Sequence, residues 1–340
     1  MKKAHIILAT LTILGLMTGC GGNANRSENA NEKNQTGAAA SEIIMTLKAE
    51  REVIFSIIGS QTVAIDWGDN SPIETTALEN TTAYFSHNYA KKTEYTITVT
   101  GENITGLDCS AKKLTNLDVS KNPKLKRLYC QLSELTSLDV SKNIALEELT
   151  CSDNNLTTID VSKNTTLEKL ICEQNQLTTL DVSKNSALKE LNCAHNQLKT
   201  LDVCKNTTLT QLNCSSNKLT TLDVNKNTKL EKLECGHNLE LTSLDLSKNA
   251  ALVNLDYSGT ELAHLDISAN KNLHSIKCRF IGFSAEALNA LFQTLPDYGD
   301  KGDGEGRWID IMYNPGADDC DWSIAEEKGW HVHVDYSEAG

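Results

Sequence analysis

From residue 104 to about residue 278 the apolar positions of the chain recur every 21 residues. In the unit Leu167 to Ala187 they fall at Leu167, Leu170, Cys172, Leu177, Leu180 and Val182, with asparagine at 175 and 185. The segment Leu-Asp-Val-Ser-Lys-Asn begins at Leu117, Leu138, Leu180 and Leu244, and close variants begin at Ile159, Leu201, Leu222 and Leu265. One step, Leu222 to Leu244, is 22 residues, which puts an extra residue in the turn around Asn238 to Glu240. A fixed period of this size predicts stacked coils, each too small to fold alone. Leu170-Ile171-Cys172 and Leu180-Asp181-Val182 both alternate inward, outward, inward, which is the period of a strand. No stretch between them is long enough for a stable helix.

Asparagine supplies the corners. One column runs Asn122, Asn143, Asn164 and on to Asn270, and a second runs from Asn154 to Asn238. An amide carries both donors and an acceptor, so a column of amides can satisfy each turn and its neighbour. Seven cysteines, Cys109 to Cys235, share the 21-residue spacing, and Cys278 rejoins their column after Tyr257 replaces one member. Side chains stacked in a column run parallel, whereas a disulfide needs them to converge and zinc needs ligands around one point. These thiols read as small apolar core residues. Cys204 takes the place of the repeat's serine, and Cys320 has no assignment.

This nested unit resembles the IRREKO-type leucine-rich repeats of bacteria, which read LxxLxCxxNxLxxLDLxxN. The resemblance implies a mainly β solenoid with short strands on both sides of each coil. Two outward columns then remain. Asp118, Asp139, Asp160 and their equivalents to Asp266 form one, with a lysine three residues later in seven units. It reads as a solvated charged ladder, with calcium as the alternative. The other is variable and is the candidate ligand-binding face: Tyr129, Thr150, Ile171, Asn192, Asn213 and Glu234, continued by Asp108, Asp256 and Lys277. Arg127, Glu148, Lys169, Glu190 and Gln211 vary beside it. Variation on a fixed frame is the pattern of a tailored surface, and neutral drift produces the same pattern.

Residues 42–103 alternate apolar and polar with aromatics and read as a small all-β unit. Ile65-Asp66-Trp67-Gly68-Asp69-Asn70-Ser71, His87-Asn88-Tyr89 and Tyr95-Thr96-Ile97-Thr98-Val99 resemble a PKD-type β-sandwich, although Asn70 stands where that family has glycine. Asp66 and Asp69 read as turn chemistry. Beyond the solenoid, 104–281, residues 282–340 predict a mixed α/β cap. Ser284 caps a helix through Leu295, Trp308 to Met312 and Trp330 to Val334 are strands, and Ser323 to Lys328 is a helical turn or two.

The first residues resemble a bacterial lipoprotein signal: Lys2 and Lys3, an apolar run from Ile6 to Leu16 too short to span a bilayer, then Met17-Thr18-Gly19-Cys20. The resemblance implies removal of residues 1–19 and lipidation of Cys20, followed by a flexible tether over 20–41. The chain as a whole resembles leucine-rich-repeat lipoproteins of Bacteroidetes-like bacteria, anchored to the outer membrane. Its 32 Lys and Arg against 45 Asp and Glu give a net charge of −13, which argues against nucleic acid and anionic lipid as partners.

Candidate chemistry is sparse. His331, His333 and Asp335 fall on one face of a strand, and Asp297, Asp300, Asp303 and Glu305 share a loop, but neither set has the spacing of a metal cage. Cys193 with His195 and Cys235 with His237 place the thiol in the core and the imidazole in a turn. No nucleophile elbow, phosphate loop or metalloprotease helix is present. The expectation is therefore a non-enzymatic adhesin binding a protein or glycan, without cofactor or metal. An architectural spacer, or a hydrolase with its site in residues 282–340, are the alternatives.

Overall fold

The computed structural model describes residues 41–49, 51–299 and 306–334. The expected signal peptide, Cys20, nearly all of the tether, and Asp300, Asp303, Glu305 and Asp335 lie outside them. No helix among the described residues is long and apolar enough to cross a membrane.

Strands β1 (Glu42–Ala49), β2 (Glu52–Asp66), β3 (Glu74–Asn88), β4 (Thr93–Asp108) and β5 (Leu114–Asp118) open the fold. β2 pairs antiparallel with both β3 and β4, and β1 pairs antiparallel with β4 and β5. Their inward residues, among them Ile43, Phe55, Ile65, Trp67 and Val99, are buried. The turn after Trp67 uses both carboxylates as expected: Asp66 Oδ1 accepts the N–H of Gly68 at 2.9 Å, and Asp69 Oδ1 that of Ser71 at 3.0 Å. Asn70 takes φ 65°, a conformation asparagine tolerates.

These strands do not end where the repeat begins. β4 runs through residue 104, and its last residues pair in parallel with β6 (Arg127–Tyr129). The parallel ladder continues through β7 (Glu148–Thr150), β8 (Lys169–Ile171), β9 (Glu190–Asn192), β10 (Gln211–Asn213), β11 (Lys232–Glu234), β12 (Asn254–Asp256) and β13 (Ser275–Lys277). A single sheet therefore holds the first β unit and the solenoid together.

Within a coil the strand buries its middle residue and the cysteine column follows it inward; Leu149, Cys151, Leu170 and Cys172 are all inaccessible. All eight cysteines of the column are buried and free. The chain then turns through a left-handed residue: Leu132, Asp153, Gln174, His195, Ser216 and His237 have φ between 51° and 58°. Gly259 occupies the same place and is the one residue there without a Cβ to crowd its carbonyl. The second asparagine column lies one residue on. Asn154 Nδ2 donates to the carbonyls of Cys130, Cys151 and Ser152 at 3.0–3.1 Å, and its Oδ1 accepts the N–H of Leu135 at 3.0 Å. In the first column Asn164 Nδ2 donates to Val140 and Asn143 of the preceding coil at 3.0 and 2.9 Å, while its Oδ1 has no partner.

The alternation predicted on the opposite side holds: Ile159 and Val161 are buried and Asp160 is exposed between them. Hydrogen-bonded strands, however, form on one side of the coils only, β5 aside. The cause is where the backbone groups are spent. Asp160 Oδ1 takes the N–H of Ser162 at 2.8 Å, and the carbonyl of Val161 takes the N–H of Asn164 and the amide of Asn185, each at 3.0 Å. These two groups are spent on the turn and on the asparagine column instead of on a ladder to the next coil.

The 21-residue period stops at Cys278, but the ladder does not. β14 (Arg307–Asp310) pairs in parallel with β13, and β15 (Trp330–His333) with β14. Helix α1 (Ala285–Thr294) is inserted between β13 and β14, with Ser284 Oγ accepting the N–H of Ala287 at 3.3 Å. Ile309 and Ile311 occupy the leucine and cysteine positions, and Asn314 donates to Cys278 and Ile311 as the second-column asparagines do. The short helix α2 (Ser323–Glu326) precedes β15, and buried Phe292 and Trp330 close the core. The cap thus continues the solenoid with a longer coil.

Candidate binding face

The sheet places the candidate residues in one register. Tyr129 lies beside Thr150, then Ile171, Asn192, Asn213 and Glu234 on successive strands, with Asp108 before them and Asp256, Lys277, Asp310 and His333 after. Arg127, Glu148, Lys169, Glu190, Gln211 and Lys232 form the parallel row two residues earlier. Neighbouring strands pair charges along that row: Arg127 with Glu148 at 3.3 Å and Lys169 with Glu190 at 2.8 Å. Tyr129 donates its hydroxyl to Glu148, and Lys232 meets Glu234 at 3.0 Å.

Part of the variable column has a local structural task that the sequence comparison did not separate out. Asn192 and Asn213 each use Oδ1 to accept the N–H two residues on, at 3.1 and 3.0 Å. Asp108, Asp256 and Asp310 do the same. A short side chain with an oxygen at this position closes the turn out of the strand. Tyr129, Thr150, Ile171 and Glu234 carry no such bond, and they are the half-buried members whose identity the turn does not dictate.

On the opposite side every member of the aspartate column, Asp118 to Asp266, accepts the N–H two residues on. That bond is the main reason Asp139, Asp160 and Asp181 stay below the ordinary carboxylate range, with the following lysine contributing less. The column is turn chemistry before it is a charged ladder.

The remaining candidates do not assemble a reaction centre. Burial pushes the thiols of Cys151, Cys193 and Cys235 up to about 12, while His195 and His237 are exposed in their turns. Cys204 is half-buried, its N–H bound to Asp202 at 2.9 Å. At the cap, buried Asp310 pairs with Arg279, whose Nε lies at 2.6 Å, and His333 stands 3.5 Å from the same oxygen. Among the described residues no three His, Cys, Asp or Glu gather in a way that could hold a metal ion.

No protein-family model matches the chain, and no curated relative matches it. Among solved structures it is similar to the functional domain of InlJ from Listeria monocytogenes, described as including a cysteine ladder, at 28% identity and a TM-score of 0.53. That likeness covers 61% of this chain and 50% of the InlJ chain, so this chain spans about half the length of its relative. The leucine-rich effector YopM of Yersinia pestis matches at 22% identity and a TM-score of 0.43, over 51% of this chain and 49% of its own. A leucine-rich-repeat protein of Leptospira interrogans matches at 15% and 0.43, over 66% and 70%. The buried cysteine column, the two asparagine columns and this likeness together establish the fold as a leucine-rich-repeat β-solenoid.

Proposed function

We propose that the chain is a non-enzymatic binding protein that recognises a protein partner along the strand face. The observation that carries this reading is the set Tyr129, Thr150 and Ile171, side by side, with Glu234 three strands further along the same row, on a frame whose inward leucines and cysteines do not vary between these coils. Their identities are free of the turn constraint that governs Asn192 and Asn213. Tyrosine and arginine at the start of the row, and isoleucine in its middle, are residue types that anchor protein interfaces once water is excluded. The test is an array of candidate envelope and host proteins probed with the folded chain, the double variant Thr150→Arg/Ile171→Asp, and Thr157→Arg/Thr178→Arg on another face. A ligand lost by the first variant and kept by the second supports the face. A ligand kept by both variants refutes it.

The reading includes a site of action. The signal-like start and Cys20 support lipid anchoring at the outer membrane, with the repeat held off the surface. Metabolic labelling with palmitate should mark the wild-type chain and not Cys20→Ser, and protease treatment of intact cells should reveal which side the chain faces.

A further inference from the structure

The outward rows of the solenoid do not stop at β4. Across β3, β2, β4 and β6 the first row reads Tyr84, Ser56, Asp108, Tyr129, and the second Thr82, Ile58, Gly106, Arg127. Glycine at 106 leaves a gap in the second row, and a Cβ there would meet the side chain of Ile58 at 3.1 Å. The result is a depression of about 200 Å³ lined by these eight residues and Leu107. Tyr84 stands 76% exposed on one side and Tyr129 forms the other. Three ladder steps of about 4.8 Å separate their strands, so the two walls rise about 14 Å apart, and a six-membered ring on the floor between them stacks on one tyrosine and reaches the other only through its substituents.

We propose that this depression is a subsite for a neutral pyranose. An anion finds no free partner there, because Arg127 is already paired with Glu148 at 3.3 Å, and Asp108 is the one carboxylate in the lining. Asp108 Oδ1 receives the N–H and hydroxyl of Ser110 at 3.0 and 2.6 Å, so Oδ2 is the atom offered to a ligand. Ser56 and Thr82 add hydroxyls, and Ile58 with Gly106 gives an apolar floor. A sugar ring has hydroxyls to donate to a carboxylate and apolar C–H faces to lay on tyrosine. The site shares Arg127 and Tyr129 with the protein-binding face, while Tyr84, Ser56 and Thr82 belong to it alone, so Tyr84→Ala tests the subsite and Thr150→Arg/Ile171→Asp tests the protein face, and either can fail alone.

The experiment titrates methyl glucoside, galactoside, mannoside and N-acetylglucosaminide, to their solubility limits, into the full chain with 13C-labelled tyrosine rings. N-acetyl-lysine amide and N-acetyl-arginine amide are titrated alongside. At least one pyranoside should shift the Tyr84 and Tyr129 signals together and saturably, leaving the other tyrosines in place. Tyr84→Ala should weaken that binding about tenfold, as should Asp108→Asn, which keeps the turn oxygen as Asn192 and Asn213 do in the same column. No shift with any pyranoside, shifts with the basic amides alone, or unchanged binding in Tyr84→Ala each overturns the proposal.

Discussion

The two asparagine columns look equivalent along the chain, yet the structure predicts different costs for truncating them. Asn175→Ala removes four hydrogen bonds. Nδ2 donates to the carbonyls of Cys151, Cys172 and Glu173 at 3.0–3.2 Å, and Oδ1 accepts the N–H of Leu156 at 3.0 Å. The three carbonyls keep other donors: Asn154 still serves Cys151, Asn196 still serves Cys172, and the N–H of Asp153 still serves Glu173. The Leu156 N–H has Oδ1 of Asn175 as its acceptor and is left buried and unpaired, which costs about 1–3 kcal/mol. With part of the net value of the three donated bonds, the loss comes to about 3–4 kcal/mol. Asn164→Ala also removes donated bonds, to Val140 and Asn143, but both carbonyls keep a backbone donor and no N–H is orphaned. It should cost about 1–2 kcal/mol. Urea unfolding with matched m-values measures the difference, and native-state hydrogen exchange at the Leu156 amide should accelerate in Asn175→Ala alone. Equal costs for the two variants, or an unchanged Leu156 exchange rate, would refute the argument that orphaned donors set the price of a corner.

Further outcomes follow from the same geometry. Gln174, with φ 51°, stands where Gly259 stands in a later coil, so Gln174→Gly should be neutral or stabilising by up to about 1 kcal/mol, whereas glycine at a helical or strand position destabilises by a similar amount. Because burial raises the column thiols, iodoacetamide at pH 8 should leave all eight unmodified in the folded chain and alkylate all of them after denaturation. Asp69 is held at about 2, first by hydrogen bonding from Ser71, whose N–H lies at 3.0 Å, and then by His87, whose Nε2 lies 2.7 Å away. A depressed carboxylate stabilises the fold above its unfolded value of 3.8 and loses that contribution as the pH falls towards about 2. Acid titration of unfolding should therefore show a decline in that window which is smaller in Asp69→Asn.

Much of this molecule is written locally. Which residues face inward follows from a two-residue alternation, so Leu170, Cys172, Leu180 and Val182 could be assigned to the core without a structure, and the parallel column ruled out disulfides before any coordinate was known. Ser284 announced the start of α1 for the same reason, since a cap and its helix are neighbours in sequence. The continuation of the ladder into the cap was not read from the sequence, because the inserted α1 breaks the period of 21, although Ile309, Ile311 and Asn314 keep the leucine, cysteine and asparagine spacing.

Tertiary structure decided what depends on partners elsewhere. Whether an alternating segment becomes a strand rests on which partners its backbone groups meet, and on the aspartate side the Ser162 N–H and the Val161 carbonyl go to the turn and to the asparagine column. Only the assembled turns showed that Asn192 and Asn213 close the turn after their strands while Tyr129, Thr150 and Ile171 do not. Tyr84 joins Tyr129 across 45 residues because β2, β3 and β4 pair in one register, and no local pattern encodes that pairing. Periodicity along a chain specifies direction, inward or outward; adjacency between outward side chains is set by backbone hydrogen bonds that form only when distant segments meet.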